Sequence, residues 1–200
     1  MKALKMLREI KSVVISTVEN GKAKSRIIDV MHVDEKGLYF VTAKTKPFYR
    51  QLMENMHVSI TAMNKSYVQV RLDGEVEIVD EDIMDKIFHL NPSLKELFPN
   101  GFSSYVAFRV YKGKGEIFDL SGVEVKMRRE RFVLGEGKVR EAGCKITDSC
   151  ISCGACIKVC PFGAISEDNK MFSINPEFCD ECGLCVNSCP VDAIAYPTGM

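Results

Sequence analysis

The chain has 200 residues, 46% of them hydrophobic, with 27 Lys+Arg balanced against 27 Asp+Glu. That length suits one large domain or a medium domain with a small companion, and the apolar content supports at least one core. The balance of charge excludes an overall field steering the protein to nucleic acid or an anionic membrane, and no stretch approaches the roughly 18 apolar residues of a membrane-spanning helix.

The opening MKALKMLREIKS is broken up by charge and holds no continuous apolar run of the kind a secretory signal carries. A soluble protein of the cytoplasm is the expectation. SVVISTV (12–18), RIIDVMHV (26–33) and LYFVT (38–42) then read as strands, separated by the turn signals ENGK and DEKG, the first with an Asn-Gly hairpin dipeptide. KPFYRQLMEN (46–55) places Phe48, Leu52 and Asn55 at helical spacing, with Pro47 at a favoured first-turn position.

Residues 68–78 alternate strictly. Val68, Val70, Leu72, Val76 and Ile78 fall on one face, and Gln69, Arg71, Asp73, Glu75 and Glu77 on the other, so the segment is a half-buried antiparallel strand with a bend or bulge at Gly74. Residues 81–98 put Ile83, Ile87, Leu90, Leu94 and Leu97 on a helical stripe interrupted at Asn91-Pro92, which predicts two short helices. SYVAFRVY (104–111) is a further strand. Residues 121–143 are charged and glycine-bearing, a last barrel edge followed by a linker. Several long strands with only two helical insertions predict a mainly β barrel closed on itself rather than an open α/β sheet.

All nine cysteines lie between Cys144 and Cys189. This shift in composition marks a domain boundary near residue 140, giving a barrel over 1–140 (linker from about 121) and a small α+β domain over 141–200. CISCGACIKVCP (150–161) returns as CDECGLCVNSCP (179–190), and aligning 150–165 with 179–194 gives eight identities in sixteen positions. The pattern is Cys-x2-Cys-x2-Cys-x3-Cys-Pro, the run that binds cubane iron–sulfur clusters in bacterial ferredoxins. Structural zinc also uses CxxC pairs, but as two pairs and not as two triplets each with a trailing Cys-Pro. Three cysteines wrap one cluster, a glycine allows close backbone approach, and the fourth ligates the other cluster. Cys150, Cys153, Cys156 and Cys189 are therefore assigned to one cluster, and Cys179, Cys182, Cys185 and Cys160 to the second. Over about 55 residues the segment resembles a bacterial-type two-[4Fe–4S] ferredoxin. Cys144 lies outside the pattern and reads as a spare thiol. Thiolate ligands need a reducing compartment, again the cytoplasm, and suit an anaerobe.

In the barrel, GKGEIF (113–118) and GEGKVR (135–140) lack a third glycine and a strand–helix context, so no dinucleotide fold is supported. No Ser-His-Asp or Cys-His pairing is visible, and His32, His57 and His89 read as packing or surface residues. An anion site is better supported. Arg26, Lys44, Thr45, Lys46 and the start of the 47–55 helix offer a guanidinium, point charges, a hydroxyl and a helix N-terminus, the groups that a phosphate needs.

The order of elements in RIIDVMHVDEKGLYFVTAKTKPFYRQLMENMHVSI (26–60) resembles the flavin-binding half of the pyridoxamine 5′-phosphate oxidase-like split β-barrels, over about residues 5–118. The resemblance implies FMN, with Arg26, Thr45 and Lys46 on its phosphate, contacts from Val41 and Thr42, and Gln69 facing the ring. It also implies a homodimer. Pro47-Phe48 stands where the oxidase commonly continues with a second basic residue, and no pyridoxal-phosphate site is recognisable, so the resemblance supports a flavin and not vitamin oxidation. KMRRERF (126–132) is a basic run read as a solvated face, the alternative being that Arg128, Arg129 or Arg131 reaches a cofactor phosphate or an acidic partner.

The expected function is a flavin- and iron–sulfur-dependent oxidoreductase passing electrons between FMN and two [4Fe–4S] clusters, with a redox partner protein or a small-molecule substrate. Two rivals remain: a pure electron carrier whose FMN is only a relay, and a ferredoxin whose barrel is a flavin-free module for dimerisation or docking.

Overall fold

The computed structural model describes residues 2–97, 103–121, 128–139 and 142–197. The chain forms two compact units. The first gathers residues 1–64, 69–116 and 132–138, and the second 65–68, 117–131 and 139–200.

The first unit opens with helix α1 (Lys2–Ile10), which buries Ala3, Leu4 and Leu7. This helix lies where the sequence showed only charge. Its apolar residues recur at the three-to-four spacing of one helical face. Strands β1 (Ser12–Glu19) and β2 (Lys22–Asp29) form a hairpin in register Glu19↔Lys22. The two-residue turn between them is Asn20-Gly21, with φ 51° and 71°, as a type I′ turn demands.

The expected strand 26–33 is not continuous. β2 ends at Asp29, and β3 (His32–Asp34) begins a new hairpin with β4 (Gly37–Ala43). At the break, Val30 donates its N–H to Lys11 O (2.8 Å) and Met31 to Tyr39 O (2.8 Å), so the backbone changes partner there. The reason is topological. With α2 (Pro47–Glu54), β5 (His57–Met63), β6 (Val68–Ile78), α3 (Glu81–Leu90), α4 (Ser93–Leu97), β7 (Tyr105–Asp119) and β8 (Arg128–Leu134) in place, the sheet runs β2-β1-β5-β6-β7-β4-β3, with β8 on β7. Consecutive strands β2 and β3 thus end the sheet path on opposite sides, and the chain between them joins its two edges. This is a split β-barrel.

Strand β4 reads as a solid apolar run because both its faces are covered. Phe40 stacks on Phe48 and on Phe108, each at 5.7 Å between centroids. Tyr39 on the opposite face packs with Met84, Ile87 and Phe88 of α3 and with Leu94. The buried face of α3 is therefore rotated from the expected stripe, and Leu90 is exposed. α3 and α4 part at Asn91, whose Nδ2 donates to Ile87 O (2.7 Å) and Met31 O (3.0 Å) while Oδ1 accepts from Arg8 (2.9 Å). Gly74 makes no bulge. Its ladder with β5 is unbroken, and a Cβ there would stand 2.7 Å from Lys112 O and from Val110 Cγ1, so glycine is required by the close passage of β7.

The second unit contains β9 (Lys145–Ile146) paired with β12 (Ile194–Ala195), the hairpin β10 (Ile165–Asp168)–β11 (Met171–Ile174), and two short helices, α5 (Ala155–Val159) and α6 (Leu184–Asn187). Four of the seven residues at the centre of its core are cysteines: Cys144, Cys156, Cys179 and Cys185, beside Ala164, Ile165 and Ile194. Partly buried Ile146, Phe172, Ile174, Phe178 and Val186 pack around these thiols. Among the described residues no helix is long and apolar enough to cross a membrane.

Candidate functional site

The cysteine repeats build two sites with the same local geometry. In each, the residue two places after the first cysteine has a positive φ, Ser152 at 58° and Glu181 at 59°. Its N–H thereby reaches back to the first sulfur, at 3.5 Å for Ser152 to Cys150 and 3.4 Å for Glu181 to Cys179. The fourth cysteine of each run receives a matching bond, from Ala164 N–H to Cys160 (3.4 Å) and Ala193 N–H to Cys189 (3.2 Å). Donors aimed at sulfur favour the thiolate that a metal needs.

Gly154 and Gly183 precede α5 and α6 with φ 70° and 78°. These turns throw the third cysteine to one end of a short helix and the fourth to the other. Cys150, Cys153 and Cys156 line one cavity together with Cys189 from the second run. Cys179, Cys182 and Cys185 line another with Cys160 from the first. Each holds about 320 Å³ of empty space, counting that open to solvent. In both, the second cysteine is exposed and the third buried. Burial pushes the Cys156 and Cys185 thiols above their ordinary value, a cost that the positive charge of iron would offset when bound. The donor set and its spread over two cavity walls fit two [4Fe–4S] groups.

The spacing left Cys144 aside, yet the structure places it in the wall of the second cavity. Burial, then the neighbouring Cys179 and Cys185, pushes its thiol up to about 12. Only the fold brings it there, since it stands outside the repeat.

The two glycines differ in what they exclude. A Cβ on Gly183 would collide with the Tyr196 hydroxyl and stand 3.1 Å from its ring, whereas one on Gly154 would make an ordinary 3.5 Å contact with Phe172. Both substitutions strain the left-handed backbone by about 1–2 kcal/mol. Gly183→Ala is therefore expected to lower the denaturation midpoint of the loaded protein more than Gly154→Ala, followed by the loss of cluster absorbance during anaerobic unfolding.

In the first unit, Arg26 on β2 points to the start of α2. Its Nη1 donates to Thr17 Oγ1 (2.8 Å) and its Nη2 to Gln51 Oε1 (2.6 Å), while the guanidinium lies 4.4 Å from the Phe48 ring centroid. Thr17 also donates to Gln51 Oε1 (2.7 Å), and both residues are buried. Thr17, Gln51 and Phe48 were not among the residues expected at this site. The available signal was a glutamine on the same helical face as Phe48 and Leu52. Thr45 and Lys46 are exposed in the turn just before α2, and α2 has no side-chain cap. A guanidinium has five donors, so Arg26, lying on Phe48 in the first turn of α2, keeps further N–H groups near an uncapped helix start. This set fits a phosphate.

The other candidates are spread around that point. Thr42 is buried on the Phe40 side of β4, and Val41 faces α3. Lys44 lines a separate open groove of about 1020 Å³ with Asp80, Glu81 and Asp85. Gln69 sits opposite Met63 on β6 and accepts from Arg71 Nη2 (3.4 Å). His57 and His89 are exposed. His32 packs 5.3 Å from the Tyr39 ring, and burial, then Lys86, holds it below its ordinary pKa.

The basic run 126–132 is not a solvated face throughout. Lys126 and Met127 lie outside the described residues, and Arg128 is exposed. Arg129, however, reaches Asp180 (3.0 Å), and Arg131 reaches Glu181 (2.7 Å), both in the second cysteine loop.

Two family models match successive parts of the chain. A family model described as pyridoxamine 5′-phosphate oxidase matches residues 2–133, and one described as a 4Fe-4S dicluster domain matches residues 149–194. The solved structure of a NimC/NimA family protein from Clostridium acetobutylicum is 28% identical with a TM-score of 0.59, over 66% of this chain and 90% of that one. Ferredoxin Fdx2 of Sorangium cellulosum is 53% identical over 34 residues, 17% of this chain and 34% of that protein. The ferredoxin of Clostridium pasteurianum is 55% identical over 31 residues, 16% of this chain and 55% of that protein. The chain thus spans about a third and about half of the two curated ferredoxins. With a split barrel first in the chain and a cysteine-built unit after it, these matches make the chain a member of the pyridoxamine 5′-phosphate oxidase family that also carries a 4Fe-4S dicluster ferredoxin domain.

Proposed function

We propose that the chain is a flavin- and iron–sulfur-dependent oxidoreductase that exchanges electrons between FMN and two [4Fe–4S] clusters. The observation that carries this reading is the sorting of eight cysteines into two quartets, each around its own cavity. Cys150, Cys153, Cys156 and Cys189 ligate one cluster, and Cys160, Cys179, Cys182 and Cys185 the other. Arg26, Thr45 and Lys46 hold the FMN phosphate at the start of α2, with Lys44 adding charge nearby. Val41 and Thr42 on β4 and Gln69 on β6 contact the rest of the cofactor. When bound, these groups supply two-electron chemistry at the flavin and one-electron chemistry at each cluster. The chain's own work is to bind, to orient and to set the charge around each group.

A homodimer is part of the proposal. The outward face of the β1–β2 hairpin exposes Val14, Val18 and Ile27, with Val14 directly opposite Ile27. Such an apolar row suits burial against a second copy. The electron partner is a small molecule or a redox protein of the cytoplasm.

A second reading is favoured by one observation. Arg26 already has intramolecular partners in Thr17, Gln51 and Phe48, as it would in a flavin-free barrel serving only to dock the ferredoxin part. An anaerobic absorption spectrum with acid extraction of flavin and assays of iron and sulfide separates the two. About eight irons per chain with one extractable FMN supports the oxidoreductase. Full iron with no flavin, even after FMN is added back, leaves a ferredoxin on a docking barrel.

A further inference from the structure

The two cysteine loops share one backbone but stand in different electrostatic surroundings. At an offset of 29 residues, Asp180 and Glu181 of the second loop occupy the positions of Ile151 and Ser152 in the first. The Ser152 hydroxyl makes a neutral contact, donating to Lys170 O at 2.6 Å. Glu181 instead joins a cluster of charges. Its Oε1 accepts from Arg131 Nη2 (2.7 Å) and from the Gly143 N–H (3.0 Å), and its Oε2 lies 3.9 Å from Arg129 Nη1. Arg129 Nη2 donates to Asp180 Oδ1 at 3.0 Å, and the Arg129 backbone N–H donates to Glu177 O at 2.9 Å. The side chains of Arg129, Arg131 and Glu181 are 14%, 10% and 15% exposed, so solvent and salt screen these charges weakly.

We propose that Arg129 and Arg131 are positioning residues that set the reduction potential of the cluster held by Cys160, Cys179, Cys182 and Cys185, acting on the other cluster far less. Cluster potential follows local charge, hydrogen bonds to sulfur and exposure to solvent. Asp180 and Glu181 flank Cys179 and Cys182 in the loop itself, and the two guanidinium groups neutralise them. With one arginine gone, the loop carries one more net negative charge beside a cluster that itself gains negative charge on reduction, and reduction becomes harder. The same grip holds the Glu181 backbone, whose N–H donates to the Cys179 sulfur. The first loop has no such charges at the matching positions. The gap between the two potentials, and hence which cluster keeps the electron in half-reduced protein, is controlled from one loop.

The inference rests on the cluster half of the proposed function and is independent of the flavin. Its test uses the full chain, purified and loaded without air, assayed for iron and sulfide and then titrated against potential with detection by electron paramagnetic resonance. Arg131→Gln is expected to lower one of the two midpoints and leave the other in place, whereas Arg131→Lys stays near the parent. Glu181→Gln is expected to raise the same midpoint, and the double variant Arg131→Gln/Glu181→Gln to return it toward the parent value. Midpoints that move together, that do not move, or that fail to return in the double variant overturn the inference. Should Arg131→Gln fail to load, Glu181→Gln alone decides, because full iron with unmoved midpoints is equally fatal. A parent protein with far fewer than about eight irons overturns the cluster reading itself.

Discussion

Replacing Cys160 and Cys182 together by serine is expected to remove one cluster and leave the other, so that iron falls from about eight to about four atoms per chain. The expectation comes from the crossing of the two runs. Cys160 belongs in sequence to the first run but lines the cavity of Cys179, Cys182 and Cys185, while Cys189 leaves the second run for the cavity of Cys150, Cys153 and Cys156. The double variant therefore damages a single site. Replacing Cys153 and Cys160, two members of the same run, damages both sites and is expected to leave fewer than about four irons. If each run held its own cluster, the results would be exchanged: Cys153/Cys160 would keep a whole cluster, and Cys160/Cys182 would keep none intact. Iron and sulfide assays on protein reconstituted without air read the difference directly. The unit should also lose thermal stability in either variant, because its core is partly made of the buried thiols Cys156, Cys179 and Cys185.

Lys46→Ala is expected to weaken FMN binding by about tenfold or more, since a hydrogen bond to a charged group is worth about 1.5–3 kcal/mol and Lys46 stands exposed at the lower end of that range. The apoprotein should be as stable as the parent, because Lys46 is an exposed N-cap residue whose side chain makes no cap bond. Arg26 behaves differently. Arg26→Ala removes a phosphate donor and also strips the buried Thr17 and Gln51 of their guanidinium partner, a loss of about 1–3 kcal/mol of stability for the unsatisfied group. Arg26→Lys keeps the charge but not the fork that reaches both partners while lying on Phe48. Flavin titration of the apoprotein by fluorescence, with thermal melts of the same samples, separates the two roles. Lys46→Ala and Arg26→Lys both binding FMN like the parent would place the phosphate elsewhere, whereas no flavin binding by the parent itself would show that the barrel takes no flavin.

What the sequence determined by itself was local chemistry. The three cysteines that wrap each site fall within seven residues, the turns before α5 and α6 need glycine at Gly154 and Gly183, and the Asn20-Gly21 turn fixes the β1–β2 register. Strand β6 was equally legible, because one face packs inward and the other meets solvent, and alternation records that directly. The break between α3 and α4 was written in Asn91-Pro92.

The tertiary structure decided whatever depends on partners far apart in the chain. Strand β4 shows no alternation because Phe40 and Tyr39 are buried on opposite faces by different elements. The expected strand 26–33 divides because its two halves serve opposite ends of one sheet. Cys144 joins a cavity wall outside any repeat, and Arg26 finds Thr17 and Gln51 across three elements. Arg129 and Arg131 reach Asp180 and Glu181 some fifty residues away. Ion pairs and buried polar contacts of this kind follow no period and occupy no fixed spacing, because Coulomb attraction and desolvation act on distance in space rather than along the chain.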